Sequence, residues 1–94
     1  MKMNQIQIIF TKLFDRQLEK VPLHIRKKFM LWLFSVETIG PSSTMKCKGY
    51  HDEPLKGERF GQRSIRLNKS YRMIYRILDG YLIIELLEIH KHDY

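Results

Sequence analysis

Glu53-Pro54-Leu55-Lys56 sets a carboxylate three residues before an ammonium across a proline turn, and His90, His92, Asp93 and Tyr94 crowd the C-terminus. Between these two groups stand Arg66, Arg72 and Arg76. A carboxylate to take a proton, cations to hold a developing phosphoryl charge and a second titratable group to return a proton make up the set that cuts RNA. RNA supplies its own nucleophile in the 2′-OH, so the set calls for no metal and no cofactor. Glu53 is the candidate base. Lys56 and Arg72 are candidate clamps, because a guanidinium can present two donors to one phosphate. His92, Asp93 and Tyr94 are the candidates for delivering or orienting the final proton. Lys46, Lys48, Arg63, Arg66, Lys69, Arg76 and Lys91 are the cations expected to hold the rest of an RNA strand.

The charge balance agrees with a polyanionic partner. Net charge is +7 and the pI is near 9.7, a combination that favours nucleic acid, an acidic protein or an anionic surface. The charge is also concentrated: residues 46–76 carry nine Lys or Arg against Asp52, Glu53 and Glu58. Metal binding is the rival use of His90 and His92, but the pair lacks the full ligand set of a zinc site and its neighbours are cationic. No Walker loop, dinucleotide fingerprint or Ser-His-Asp pattern is present. Cys47 is the sole cysteine; it can form no intrachain disulfide, reads as a passive thiol, and suits a reducing compartment. Ile6 to Phe10 is too short for a signal-peptide core, and no apolar run reaches membrane-spanning length. The expectation is a cytoplasmic protein with no membrane partner.

Ninety-four residues make one domain, 1–94, and a chain of this size buries only about 60 to 65% of its unfolded surface, so large side chains must fill the core. Gln5 to Phe10 alternates Ile6, Ile8 and Phe10, as a strand would. Thr11 offers an N-cap to a helix in which Leu13, Phe14, Leu18 and Val21 recur at helical spacing. Pro22 ends it and suits the first turn of a second helix. There Ile25, Phe29, Trp32, Leu33 and Val36 form an apolar stripe that stops at Gly40-Pro41. Pro41 to Glu53 reads as a basic loop. Two helices with an apolar side need a sheet to cover, which makes the class α+β.

The sheet follows from Arg63 onward, where parity fixes the faces. Asp79-Gly80 signals a two-residue hairpin turn, which would pair Leu78 with Tyr81, Ile77 with Leu82, Tyr75 with Ile84 and Met73 with Leu86. The alternate pairs would be Arg76 with Ile83, Ile74 with Glu85 and Arg72 with Leu87. For Ile65 and Leu67 to share the apolar face, the preceding loop must be odd, most simply Asn68-Lys69-Ser70. Leu67 then meets Tyr71, Ile65 meets Met73, and Arg66 lies beside Arg72. Two guanidinium groups side by side on an open face repel unless an anion bridges them.

The order strand, helix, helix, three strands, with Glu53-Pro54-Leu55-Lys56, the run Ser70 to Arg76 and the terminal His92-Asp93-Tyr94, resembles the RelE superfamily, toxins of type II toxin–antitoxin systems. YoeB-like members carry the same Glu-Pro-Leu-Lys, and HigB-like members carry Pro-Leu-Lys-Gly. The resemblance implies a RelE-like β-α-α-β-β-β fold on a mostly antiparallel sheet. It also implies a metal-independent endoribonuclease that cuts mRNA on the 70S ribosome, stops translation, and is held silent by a cognate antitoxin, a small helix-turn-helix or acidic protein. By motif, Glu53 matches the YoeB-like base, Lys56 the lysine shared by both groups, and Arg72 the phosphate-binding arginine; Arg66 is similar in place to a RelE lysine. Asp93-Tyr94 resembles the HigB-like ending, and Tyr94 the YoeB-like one. HigB-like chains have His where Glu53 stands and YoeB-like chains have His where Asp93 stands, so the acid is one of His92, Asp93 and Tyr94. The alternative is a ParE-like toxin that binds DNA gyrase without catalysis.

Overall fold

The computed structural model describes residues 6–91. A first strand, β1 (Gln7–Phe10), is followed by α1 (Lys12–Lys20) and α2 (Leu23–Ile39), then by a short helix α3 (Pro41–Met45). Four more strands follow: β2 (Glu53–Pro54), β3 (Gln62–Arg66), β4 (Tyr71–Leu78) and β5 (Ile83–Lys91). They form one sheet in the order β1-β5-β4-β3-β2. Only the β1–β5 pair is parallel. The class is α+β, as expected.

Thr11 caps α1 through its hydroxyl, which accepts from the Phe14 amide at 3.2 Å and donates to the Leu86 carbonyl at 2.8 Å. One side chain therefore starts the helix and ties it to β5. In α2 the inward stripe is Ile25, Phe29, Trp32 and Val36, all buried, with Leu33 partly buried against them. The stripe packs with Phe14 on Ile65, Leu67, Met73, Tyr75, Ile84, Leu86 and Ile89. Trp32 meets Tyr75 at a ring separation of 5.1 Å. The outer side of α2 is unexpectedly apolar: Met30, Leu31 and Phe34 are all more than half exposed.

The structure corrects three sequence expectations. The stretch after Gly40 is not a loop throughout, since Gly40 at φ 92° ends α2, Pro41 starts α3, and Ser35 and Thr44 join the two helices by a 2.7 Å hydrogen bond. A 3₁₀ turn at Lys48–Tyr50 and the short β2 follow. The β4–β5 connection spans four residues, because Asp79, Gly80 and Tyr81 all have positive φ and the turn closes from the Leu82 amide to the Asp79 carbonyl at 3.0 Å. Leu78 thus meets Ile83, Ile77 meets Ile84, Arg76 meets Glu85 and Tyr75 meets Leu86. A shift of two residues keeps the paired side chains from Ile83 to Leu86 on their expected faces. Leu82 is displaced from the core into the turn, where it is 39% exposed. Farther along, Leu87 is an extra residue at a bulge, so Ile74 meets Glu88, Met73 meets Ile89 and Arg72 meets His90.

The β3–β4 connection is as expected. Ile65 pairs with Met73 and Arg66 with Arg72, and the Leu67 amide donates to the Tyr71 carbonyl at 2.9 Å. Asn68 organises the turn by accepting from the Ser70 and Tyr71 amides at 2.7 and 2.8 Å.

Trp32→Ala should cost about 3 to 5 kcal/mol, as large buried aromatics do. Phe34→Ser, two positions away on the exposed side, should stay within about 0.5 kcal/mol. Urea unfolding of both variants checks the difference, and equal losses would mean that α2 is turned differently.

Candidate active site

The helices cover one face of the sheet, and strand alternation sends the remaining side chains to the other. β2 brings Glu53 there: Glu53 pairs with Ser64, Pro54 with Arg63, and the Leu55 amide donates to the Gln62 carbonyl at 2.8 Å. β3 presents Ser64 and Arg66 on the same face, and β4 presents Arg72 and Arg76. Arg72 Nη1 donates to Ser64 Oγ at 3.0 Å and lies 3.7 Å from Glu53 Oε2. The second separation is an ion pair too long for a hydrogen bond.

Arg72 is no ordinary surface arginine. Its side chain is only 15% exposed, and its Nε is buried with no acceptor. A buried donor left idle is costly, and the cost is relieved when an acceptor arrives. Arg66, its register partner, is exposed and has no carboxylate partner among the described residues.

The rest of the face is internally neutralised. Glu85 Oε1 accepts from Arg76 Nη2 at 2.6 Å and from Nε at 3.1 Å. Arg59 donates to Glu88 at 2.6 Å and to Gln62 at 2.8 Å, while His90 Nε2 lies 2.9 Å from Glu88. Burial would raise the Glu88 carboxyl, but the hydrogen bonds and charges of Arg59 and His90 outweigh it and hold the group below its ordinary value.

The other expected site residues are dispersed. Lys56 is exposed at the entry to a 3₁₀ turn, Gly57–Arg59. Lys46 and Lys48 are exposed beside the end of α3. Lys69, at the tip of the β3–β4 turn, joins Arg66 in a cleft of about 180 Å³ to which Lys28 and His51 also contribute. Lys28 was passed over in sequence because α2 turns it away from the core. Arg63 and Lys91 lie on the helix side, opposite the arginine face: Arg63 is in register with Tyr75 and Lys91 with Tyr71. Arg63 donates to Asp52 at 2.6 Å. Burial would lower its pKa, but Asp52 more than compensates and raises it. His92, Asp93 and Tyr94 lie outside the described residues.

Asp52 and Ser64 were missed. Asp52 carries no motif, and only its burial sets it apart: its side chain is 1% exposed and accepts from both Arg63 and Tyr75. The Tyr75 hydroxyl is held well above its ordinary pKa by burial and by the Asp52 carboxylate. Ser64 was legible, since it alternates with Arg66 and so had to share a face with Arg72. Among the described residues no three His, Cys, Asp or Glu side chains converge as a metal site.

A family model described as the ParE toxin of the type II toxin–antitoxin system parDE matches residues 8–93. The chain belongs to this toxin family. Solved structures agree on the toxin's fold. A YoeB/ParE toxin from Agrobacterium tumefaciens is 19% identical, with a TM-score of 0.75 over 94% of this chain and 100% of that one. The YoeB–YefM complex from Staphylococcus aureus contains a chain 22% identical, TM-score 0.70, over 96% and 99% of the two chains. The archaeal RelE–RelB complex from Pyrococcus horikoshii gives 18% identity and a TM-score of 0.70 over 95% and 96%. No curated protein matches the toxin in sequence.

The Glu88 carboxyl is depressed in the fold, so its contribution to stability is complete above the ordinary value of 4.5 and is lost as pH falls through the lower folded value. The stability gap between wild type and Glu88→Gln should therefore shrink as pH falls below about 4.5. Urea unfolding on both sides of that pH measures it. A gap that widens in acid would mean that Glu88 is held protonated.

Proposed function

We propose that this toxin is a metal-independent, ribosome-dependent endoribonuclease that cuts mRNA and so inhibits translation. The observation that carries the proposal is the largely enclosed Arg72 guanidinium, with its buried, idle Nε, 3.7 Å from an accessible Glu53 carboxylate. Glu53 takes the 2′-OH proton, and the 2′ oxygen attacks the adjacent phosphorus. Arg72 receives the charge that gathers on the phosphoryl oxygens, with Arg66 beside it and Lys56 following Glu53 on the same segment. One of His92, Asp93 and Tyr94 protonates the leaving 5′ oxygen. Arg66, Lys69, Lys46 and Lys48 supply further strand contacts, whereas Arg76 contributes only if Glu85 gives it up.

A cognate antitoxin is the expected partner, as in the YoeB–YefM and RelE–RelB complexes. The basic face suits an acidic segment of that partner, and on the other side of the molecule Leu31 and Phe34 expose apolar surface on α2 to a second segment. The family match gives weight to a second reading, a ParE-like toxin that binds DNA gyrase without catalysis. The site requires no base and no idle guanidinium for that task, which favours the nuclease.

Glu53→Gln should keep the fold and lose about 10²- to 10⁴-fold in cleavage of ribosome-bound mRNA, because the amide cannot take the proton. Arg72→Met should melt near the wild-type temperature, since it replaces a poorly satisfied, largely enclosed charge with an apolar chain of similar length. It should nevertheless lose about 10²- to 10³-fold in rate. Arg72→Lys should recover only part, being a point charge without the planar fork. Full cleavage by either Glu53→Gln or Arg72→Met would remove that residue from the chemistry.

A further inference from the structure

Glu53 does not hold itself in place. Its side chain is 58% exposed, and its one ionic neighbour among the described residues is Arg72, 3.7 Å away. The direction of its carboxylate is therefore set by the backbone of β2. That backbone is thinly held: β2 has two residues and lies at the sheet edge, and Pro54 has no amide hydrogen to donate. Just before it, His51 takes a left-handed conformation at φ 49°, so the chain turns sharply on entry.

The firm anchor is the neighbouring residue. Asp52 sends its side chain through to the helix side, where Oδ1 accepts from Arg63 Nε at 2.6 Å and Oδ2 accepts from the Tyr75 hydroxyl. Tyr75 is 1% exposed and fixed against Trp32, and Arg63 stands opposite Pro54 in the register. Arg63 thus rises from β3, the strand β2 lies along, and Tyr75 from β4, the next strand in. In extended chain, successive side chains point to opposite faces, so pinning Asp52 on the helix side turns Glu53 onto the arginine face. We propose that Asp52, clamped by Arg63 and Tyr75, is a positioning residue that aims the Glu53 carboxylate at the reacting 2′-OH. This role rests on the nuclease reading above. It assigns a task in catalysis to groups that touch neither the substrate nor Arg72.

The test uses Asp52→Asn and Tyr75→Phe, each made alone and in a Glu53→Gln background, with kcat and KM for cleavage of ribosome-bound mRNA beside a thermal melt. Tyr75→Phe keeps the ring against Trp32 and removes one hydrogen bond, so it answers the question even if Asp52→Asn unfolds. Each should lower kcat about 10- to 100-fold at unchanged KM, the scale of a base displaced by about an ångström. In the Glu53→Gln background each should add nothing to the residual loss. An equal loss in both backgrounds, or a wild-type kcat in folded Tyr75→Phe, would overturn the positioning role while leaving Glu53 as base. Wild-type cleavage by Glu53→Gln alone would overturn the base assignment and the positioning role with it.

Discussion

Helices cover only one face of this sheet, and side chains on a strand must alternate between faces. Every residue of β2 to β5 is sorted by that constraint. Ile65, Met73, Tyr75, Ile84, Leu86 and Ile89 fall on the side of Phe29 and Trp32 and are buried there. Glu53, Ser64, Arg66, Arg72, Arg76, Glu85, Glu88 and His90 fall on the other. The charged face thus exists because the core exists, and its members are held as firmly as the core holds the strands. The bulge at Leu87 adjusts the arrangement without breaking it, carrying Ile89 back to the core side and His90 to a place beside Arg72.

Among the described residues of the charged face, two arginines have close carboxylate partners, Arg66 is exposed without one, and Arg72 is enclosed with a poor one. Arg76 has Glu85 and Arg59 has Glu88, pairs that fix side chains more than they add stability, since two of the four partners remain substantially exposed. Arg72 is buried more deeply than either arginine and is paired more poorly, with a long contact to Glu53 and an idle Nε. Such local dissatisfaction is what a site organised around an incoming anion carries. The contrast between neighbours supports the proposed site more sharply than net charge does.

Much of this arrangement was legible in the residues. The stripe Ile25, Phe29, Trp32, Val36 and the three-residue turn at Asn68 follow from period and parity, which are local rules. The faces of Arg66, Arg72 and Arg76 follow from them too. The four-residue turn at Asp79 was not legible, because Asp-Gly favours the shorter hairpin. The pairing of Arg76 with Glu85 and of Ile77 with Ile84 across the strands is what the longer turn secures. The helix at Pro41 was hidden by turn-forming residues whose helical state depends on the contact between Ser35 and Thr44. Asp52 was hidden for a related reason: its partners lie 11 and 23 residues away, and no spacing rule reaches that far. Arg63 was assigned to RNA by its charge alone, while its strand parity already turned it toward the helices.

The most direct test of the site's chemistry is the ends of the RNA it makes. Purified toxin is incubated with translating ribosomes and, at the same concentration, with DNA gyrase and relaxed plasmid. Attack by the 2′ oxygen leaves a 2′,3′-cyclic phosphate on the upstream fragment and a free 5′-hydroxyl on the downstream one, and both are expected on ribosome-bound mRNA with supercoiling untouched. Intact mRNA together with blocked supercoiling would contradict the nuclease, and a 5′-phosphate on the downstream fragment would contradict the role given to Glu53 and Arg72.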